Sequence, residues 1–347
     1  MTKKNIIFFS KAPMNYVMFK QIHQAMKNDN RIAFEFTGKP EEGFTMGDLY
    51  GDFFKKGDEK ISSLFFAKFK KPNLYISPDM YIACRGAKIK VHIFHGVSFK
   101  GKAYTEQIRR YDKIFIVGNY MKRNFIEKKI LTENDPRMVM IGMPKTDSLV
   151  DGSLLKEEII QKIGLSGKKP IILYAPTWRK ESSLNTMGEE IFSTLKSTDV
   201  DFLVKLHDLS LNPGTNKIDW RKRLNEIEGG NMKVIYDPDI IPYLFIADLL
   251  ITDASSTANE FTLLDRPIIF IDVPELIKKY STTIDLDTWG RKIGKTVTRA
   301  DDLKRAILEY LDNPSELSEI RRSAARDIFY KPGGATKRAV ETLYNLL

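Results

Sequence analysis

Leu250-Ile251-Thr252-Asp253-Ala254-Ser255-Ser256-Thr257-Ala258-Asn259-Glu260-Phe261 is the stretch on which the fold is read. An apolar run ends at Asp253, hydroxyl residues follow, and a segment of helical period carries Glu260 about a turn later. Strand, Ser/Thr turn and helix in that order make the joint between a parallel strand and its crossover helix. A helix start offers free N–H groups and partial positive charge, which suits phosphate. An ordinary Ser/Thr N-cap accounts for the hydroxyls but not for the pairing of Asp253 with Glu260.

The same alternation runs through the chain. Strands are expected at Asn5–Phe9, Asn73–Ile76, Lys90–Phe94, Lys113–Val117 and Met138–Ile141, then at Pro170–Tyr174, Phe202–Lys205, Lys233–Tyr236, Leu249–Thr252 and Ile268–Ile271. Several are unbroken Ile/Val/Leu/Phe blocks, the composition of strands buried on both faces. Helical periods fall between them, as in Tyr120–Lys129, Leu155–Ile163, Ala258–Leu264 and Leu303–Leu311. The reading is an α/β protein with parallel sheets and crossover helices. A length of 347 residues suits two domains, at roughly 100–200 residues each. They are expected to meet near residues 143–168, where Met143-Pro144 closes one block and Gly164 to Pro170 introduce the next. Residues 1–150 form the N-terminal domain and 151–347 the C-terminal one, with the last helix free to return to the first.

Composition narrows the function. With 42% hydrophobic and 29% charged residues, the chain is a folded globular protein rather than a disordered one. Cys84 is the only cysteine, so no intrachain disulfide forms, and no Cys/His cluster has zinc spacing. The apolar run Ile6–Phe9 is too short for a signal segment, and no run approaches the ~18 apolar residues that cross a bilayer; the expected compartment is cytoplasm. Neither a dinucleotide fingerprint, a P-loop nor a Gly-x-Ser-x-Gly elbow is present. The net charge of +10 favours anionic partners: nucleic acid, acidic lipid or phosphorylated substrate. Against nucleic acid, the lysines are spread along the chain and no RNA-binding signature appears.

Ligands of parallel sheets bind at the carboxyl ends of strands, so the residues just after strands are the candidates. Phe94-His95-Gly96-Val97-Ser98-Phe99-Lys100-Gly101 places a histidine, suited to proton transfer near neutral pH, beside glycine and cations. Tyr174-Ala175-Pro176-Thr177-Trp178-Arg179 ends in a guanidinium fork that matches phosphate. In Val204-Lys205-Leu206-His207-Asp208, alternation puts Lys205 and His207 on one side, as a pyrophosphate needs. Ser255, Ser256 and Glu260 complete the set. Each also has a plainer reading: a backbone-satisfied histidine, a surface arginine, a His207–Asp208 salt bridge. Separately, Phe53-Phe54-Lys55-Lys56 and Leu64 to Lys71 interleave phenylalanine with lysine; this is either a basic amphipathic surface for anionic membrane or a helix that packs its rings inward.

Taken together, the segments resemble the CDP-glycerol glycerophosphotransferase family, the enzymes that prime and extend teichoic acids in cell wall biogenesis. That family's His-Gly-Thr-Pro-x-Lys is matched by His95-Gly96 and Lys100, and its Tyr-Ala-Pro-Thr-Trp-Arg in full by Tyr174–Arg179. Its Lys-x-His-Pro is matched by Lys205 and His207. Its Thr-Asp-Tyr-Ser-Ser, an acid and Arg-Pro-Ile-Ile-Phe are matched by Thr252, Asp253, Ser255, Ser256, Glu260 and Arg266–Phe270. Gly334-Ala335-Thr336 and Arg338 resemble the family's C-terminal motif. The chain departs from the pattern at Val97-Ser98-Phe99, Ala254, Asp208 and Glu260.

The resemblance implies a GT-B fold, two Rossmann-like domains facing across a cleft, the first for the acceptor and the second for the nucleotide donor. It implies transfer of a polyol phosphate, glycerol phosphate foremost, from a CDP-polyol to an acceptor hydroxyl on a lipid-linked or cell-surface glycan, releasing CMP. His95 and His207 are the catalytic candidates. Arg179, Lys205, Asp253, Ser255, Ser256 and Glu260 would bind the donor, and Gly96, Ser98 and Lys100 would lie on the acceptor side. No cofactor or metal is expected, since the CDP-polyol is the activated substrate. The protein is expected to sit peripherally at the inner face of the cytoplasmic membrane. The alternatives are a GT-B glycosyltransferase using a nucleotide-sugar, a basic nucleic-acid-binding protein, and a non-catalytic membrane scaffold.

Overall fold

The computed structural model describes residues 3–41, 43–51, 59–97, 99–212, 216 and 218–347. They divide into two compact units, neither continuous in sequence. The first comprises Met1–Val97, Ala103–Asp147 and Asp327–Leu347, and the second Ser98–Lys102 and Ser148–Arg326.

The first unit is built on a seven-stranded sheet: β1 (Lys4–Ser10), β2 (Ile32–Gly38), β3 (Lys60–Ser62), β4 (Leu74–Ser77), β5 (Ile89–Ile93), β6 (Lys113–Ile116) and β7 (Met138–Met140), in the order β3-β2-β1-β4-β5-β6-β7. The second carries six: β8 (Ile171–Tyr174), β9 (Asp201–Val204), β10 (Met232–Val234), β11 (Leu249–Thr252), β12 (Ile268–Ile271) and β13 (Lys295–Val297), in the order β10-β9-β8-β11-β12-β13. Every named pairing is parallel. Both sheets are therefore doubly wound. The strand order reverses between β1 and β4 in the first and between β8 and β11 in the second, and such switch points open a crevice at the carboxyl ends.

The ten expected strands are present to within two residues at each end. Their solid apolar blocks bury completely: Ile172, Leu173, Leu249, Leu250, Ile268 and Ile269 are all 0% exposed. β2, β3 and β13 went unnamed in the sequence. β3 and β13 are three-residue edge strands, and β2 alternates polar and apolar side chains and carries Glu35, so none shows an apolar block.

The last helix (Ala335–Leu346) belongs to the first unit. Both carboxylate oxygens of Asp147 cap it, accepting from the N–H groups of Ala335 at 3.0 Å and Thr336 at 2.7 Å. The Arg338 guanidinium donates to the carbonyls of Ile141 (2.8 Å), Tyr330 (3.1 Å) and Lys331 (2.7 Å). The C-terminal motif Gly334-Ala335-Thr336 with Arg338 is thus an architectural clasp.

Among the described residues no helix is long and apolar enough to cross a membrane.

Candidate active site

The second unit assembles its candidates at the switch point. β8 and β11 are neighbours, so the loops that leave them start side by side. Asp253, at the end of β11, is fully buried. One carboxylate oxygen accepts from the N–H of Thr177 (2.8 Å) and of Ala254 (2.6 Å); the other accepts from the N–H and hydroxyl of Ser183, both at 2.9 Å. Ser183 opens the fourteen-residue helix Ser183–Lys196, whose positive end stabilises the carboxylate. The Tyr174 hydroxyl meets the Ser183 hydroxyl at 2.9 Å, and burial raises its pKa well above the usual value. Asp253 therefore fixes the Thr177–Arg179 loop, and its own oxygens are fully used.

What that loop presents is cationic and aromatic. The Arg179 guanidinium lies over the Trp178 ring at 3.7 Å, and the His207 ring is 6.0 Å from Trp178. His207 accepts from the N–H of Leu209 through Nδ1 at 3.2 Å, which leaves Nε2 as the N–H donor of the neutral ring. Lys205 is buried; its ammonium donates to the Leu206 carbonyl at 2.9 Å and lies 3.7 Å from Asp208. The ion pair at this turn is Lys205–Asp208. The Ser255 hydroxyl donates to that of Thr257 at 3.0 Å, and Ser256 stands at the N-cap of the short helix Thr257–Phe261. Glu260, on that helix, is 1% exposed.

Lys100 joins this group. The sequence put it on the acceptor side, but its ammonium donates to the Thr177 hydroxyl at 3.1 Å, within the second unit. The cause is local. Phe99 is buried in one cluster with Ala254, Val273, Leu276 and Tyr280, which holds the segment before Lys100. Gly101 then passes the Thr283 carbonyl with φ +71°; a Cβ there would lie 2.1 Å from that oxygen, so only glycine fits. Desolvation pushes the Lys100 pKa down to about 8, Asp253 opposes the shift, and Arg179 and Lys102 reinforce it. Cations held close together, beside a carboxylate already committed to other donors, are a costly arrangement that a bound anion relieves.

In the first unit, His95 stands two residues past β5, exposed, with Gly96 buried behind it. Lys145 donates to the His95 carbonyl at 3.3 Å from a buried position on the 3₁₀ turn Pro144–Leu149. The sequence reading missed Lys145; its position just beyond a strand end was the available signal. It also missed the Lys11–Asp79 ion pair (2.9 Å), which joins the segments after β1 and β4 at this sheet's switch point. His92, by contrast, points into the core, 4.6 Å from Phe94 and 4.9 Å from Tyr111, and burial pushes its pKa down to about 3. Ser98 lies outside the described residues. Among the described residues, no three His, Cys, Asp or Glu side chains are grouped to hold a metal ion.

The chain is 27% identical over 256 residues to the teichoic acid glycerol-phosphate primase of Bacillus subtilis (strain 168), covering 69% of this chain and 61% of the relative. It thus spans about three fifths of that relative's length. The wall teichoic acid polymerase TagF superposes with a TM-score of 0.73 at 17% identity, over 99% of this chain and 88% of that one. A TagF variant soaked with CDPG for 15 minutes gives 0.71 at 16% identity, with the same coverage. Likeness at that identity speaks for the fold, two α/β units on parallel sheets. Residues 90–345, most of the chain, match the family model described as CDP-Glycerol:Poly(glycerophosphate) glycerophosphotransferase, and the chain belongs to that family.

Proposed function

We propose that the protein transfers a polyol phosphate, glycerol phosphate foremost, from a CDP-polyol to an acceptor hydroxyl on a lipid-linked or cell-surface glycan. The observation that carries this reading is the set of donors beside the β8/β11 switch point: the Lys100 ammonium, the Arg179 guanidinium and the nearby His207 ring. Such a group suits a pyrophosphate. Family membership supplies the cytidine and the polyol. CDPG was soaked into a crystallised TagF variant, and the same donor class is assigned here by analogy.

In this reading His95 takes the proton of the acceptor hydroxyl. The oxygen attacks the β-phosphorus in line, the bond from that phosphorus to the bridging oxygen breaks, and CMP departs with the electron pair. Arg179, Lys100 and His207 offset the charge that builds on the leaving phosphate. Ser255 and Ser256 bind phosphate oxygens, Glu260 holds the ribose, and Lys205 supports the His207 turn from within. Asp253 is a positioning residue, because its oxygens are spent on the loop. The CDP-polyol is the activated substrate, and the reading invokes no resident cofactor. The protein works at the inner face of the cytoplasmic membrane, held there peripherally, and nucleic acid is not its partner.

Parallel calorimetric titration with CDP-glycerol, CDP-ribitol, CDP, UDP and UDP-N-acetylglucosamine tests the donor. Binding confined to cytidine ligands, with CMP formed on turnover, is expected. Preference for a uridine nucleotide would discard phosphotransfer and favour a nucleotide-sugar glycosyltransferase.

A further inference from the structure

The crossover from β3 to β4 holds the short helix Leu64–Ala67 and the segment that follows it to Lys71. Phe65, Phe66 and Phe69 are 64%, 64% and 72% exposed. They touch one another, with the Phe65 ring 5.5 Å from Phe66 and 5.4 Å from Phe69, so they form one continuous apolar knob. Ala67, fully buried, anchors the helix from beneath. The other exposed large apolar side chains among the described residues are scattered singly, which is ordinary for a soluble surface; a cluster of three phenylalanines is not.

The surroundings are basic. Residues 60–90 contain seven cations, Lys60, Lys68, Lys70, Lys71, Arg85, Lys88 and Lys90, against the single acid Asp79. Asp79 is committed to Lys11. Glu35 on β2 engages Lys70 and lies 3.8 Å from Lys60, which spends that carboxylate. Lys68, Lys71, Arg85 and Lys88 remain exposed, and Gly86 lies against Lys71 while the N–H of Lys88 bonds to the Pro72 carbonyl, so the segment that carries Arg85 and Lys88 adjoins the one that leaves the knob.

We propose that this crossover is a membrane-contact surface, in which Phe65, Phe66 and Phe69 enter the headgroup region of an anionic bilayer and Lys68, Lys71, Arg85 and Lys88 meet its phosphates. Exposed aromatic rings fringed by lysine are how interfacial segments hold a charged leaflet. A nucleic-acid site would present ring faces for stacking, whereas these rings meet edge-on at 78° and 68°. The inference gives the peripheral location proposed above a physical surface, yet it stands apart from the donor chemistry.

Co-sedimentation of the full chain with vesicles of phosphatidylcholine alone, and of phosphatidylcholine with phosphatidylglycerol, tests it. The chain should partition onto the anionic vesicles and release as salt rises. Replacing all three rings (Phe65→Ser, Phe66→Ser, Phe69→Ser) should weaken partitioning on the order of a hundredfold. Lys68→Gln and Lys71→Gln should each weaken it about fivefold. Calorimetry with CDP-glycerol should give wild-type affinity in every variant, which shows an intact fold and keeps this question separate from the donor reading. The proposal is overturned by wild-type protein that stays in the supernatant with both vesicles, by ring variants that partition like wild type, or by a knob that instead mediates self-association or RNA binding.

Discussion

The loops at the carboxyl ends of β8 and β11 and the turn that carries His95 are fixed in different ways. In the second unit one buried carboxylate, Asp253, gathers two loops and a helix start through four hydrogen bonds of 2.6–2.9 Å. In the first, the His95 turn is tied at its carbonyl by the Lys145 ammonium at 3.3 Å, and the imidazole stands exposed. In the proposed reading the rigid cradle would suit a pyrophosphate of fixed shape, and the exposed imidazole an acceptor hydroxyl that approaches from solvent. Departures from the family pattern fall at both sites: Val97 and Ser98 follow His95, and Asp208, Ala254 and Glu260 lie among the donor-side segments, where Arg179, Lys205 and His207 keep their types.

The contrast can be broken by substitution. The largest effect is expected at His95: a base that acts on the acceptor contributes about 10²–10⁴-fold, so His95→Gln should lower kcat by that factor and leave CDP-glycerol affinity unchanged. Activity near wild type would remove His95 from the mechanism. Asp253→Ala strips partners from buried amides and should destabilise the second unit by about 3 kcal/mol in denaturant unfolding; an unchanged midpoint would show that the network does not hold the loops.

Arg179→Lys keeps the charge but loses the planar fork on Trp178, and donor affinity by calorimetry should fall about tenfold. Equal affinity would mean that only charge matters there. The smallest effect concerns Lys100, whose pKa is held at about 8 by desolvation and by its cationic neighbours. A bound pyrophosphate favours the ammonium, so donor affinity should be flat below pH 8 and fall above it, by at most about tenfold per pH unit. The unliganded protein should show the opposite slope. The Lys100 ammonium has a folded pKa of about 8, below its ordinary 10.5, so stability rises with pH between those two values. Lys100→Met should flatten the binding profile; a profile that keeps its fall near pH 8 would assign the titration elsewhere.

The four histidines show how much of the site was legible. His95 and His207 stand past strand ends, where ligands bind, and position alone marked them. His92, three residues before His95, is a core residue beside Tyr111, and His23 is buried with its ring against Phe34 at 4.9 Å. Alternation along β5 separates His92 from His95 once the strand is drawn. Lys11, Asp79 and Lys145 also stand past strand ends, but in segments without a distinctive pattern, so position alone did not single them out. The phenylalanines at 64–71 were equally consistent with core and surface. Four helical residues give too little periodicity to choose, and the structure turns Phe65, Phe66 and Phe69 to solvent. Phe53, Phe54, Lys55 and Lys56, read with them, lie outside the described residues.

The sequence alone determined the class of fold, because strands buried on both faces must be apolar blocks and crossover helices must separate them. It also determined the order of the strand-end motifs, since each is written in consecutive residues. Tertiary structure decided which unit Lys100 belongs to, that Asp253 is spent on amides, and that Asp147 and Arg338 clasp the last helix. Those outcomes depend on contacts between residues far apart in the chain, such as Phe99 with Ala254 and Asp147 with Ala335. Local patterning carries no information about which distant group will fill a given space.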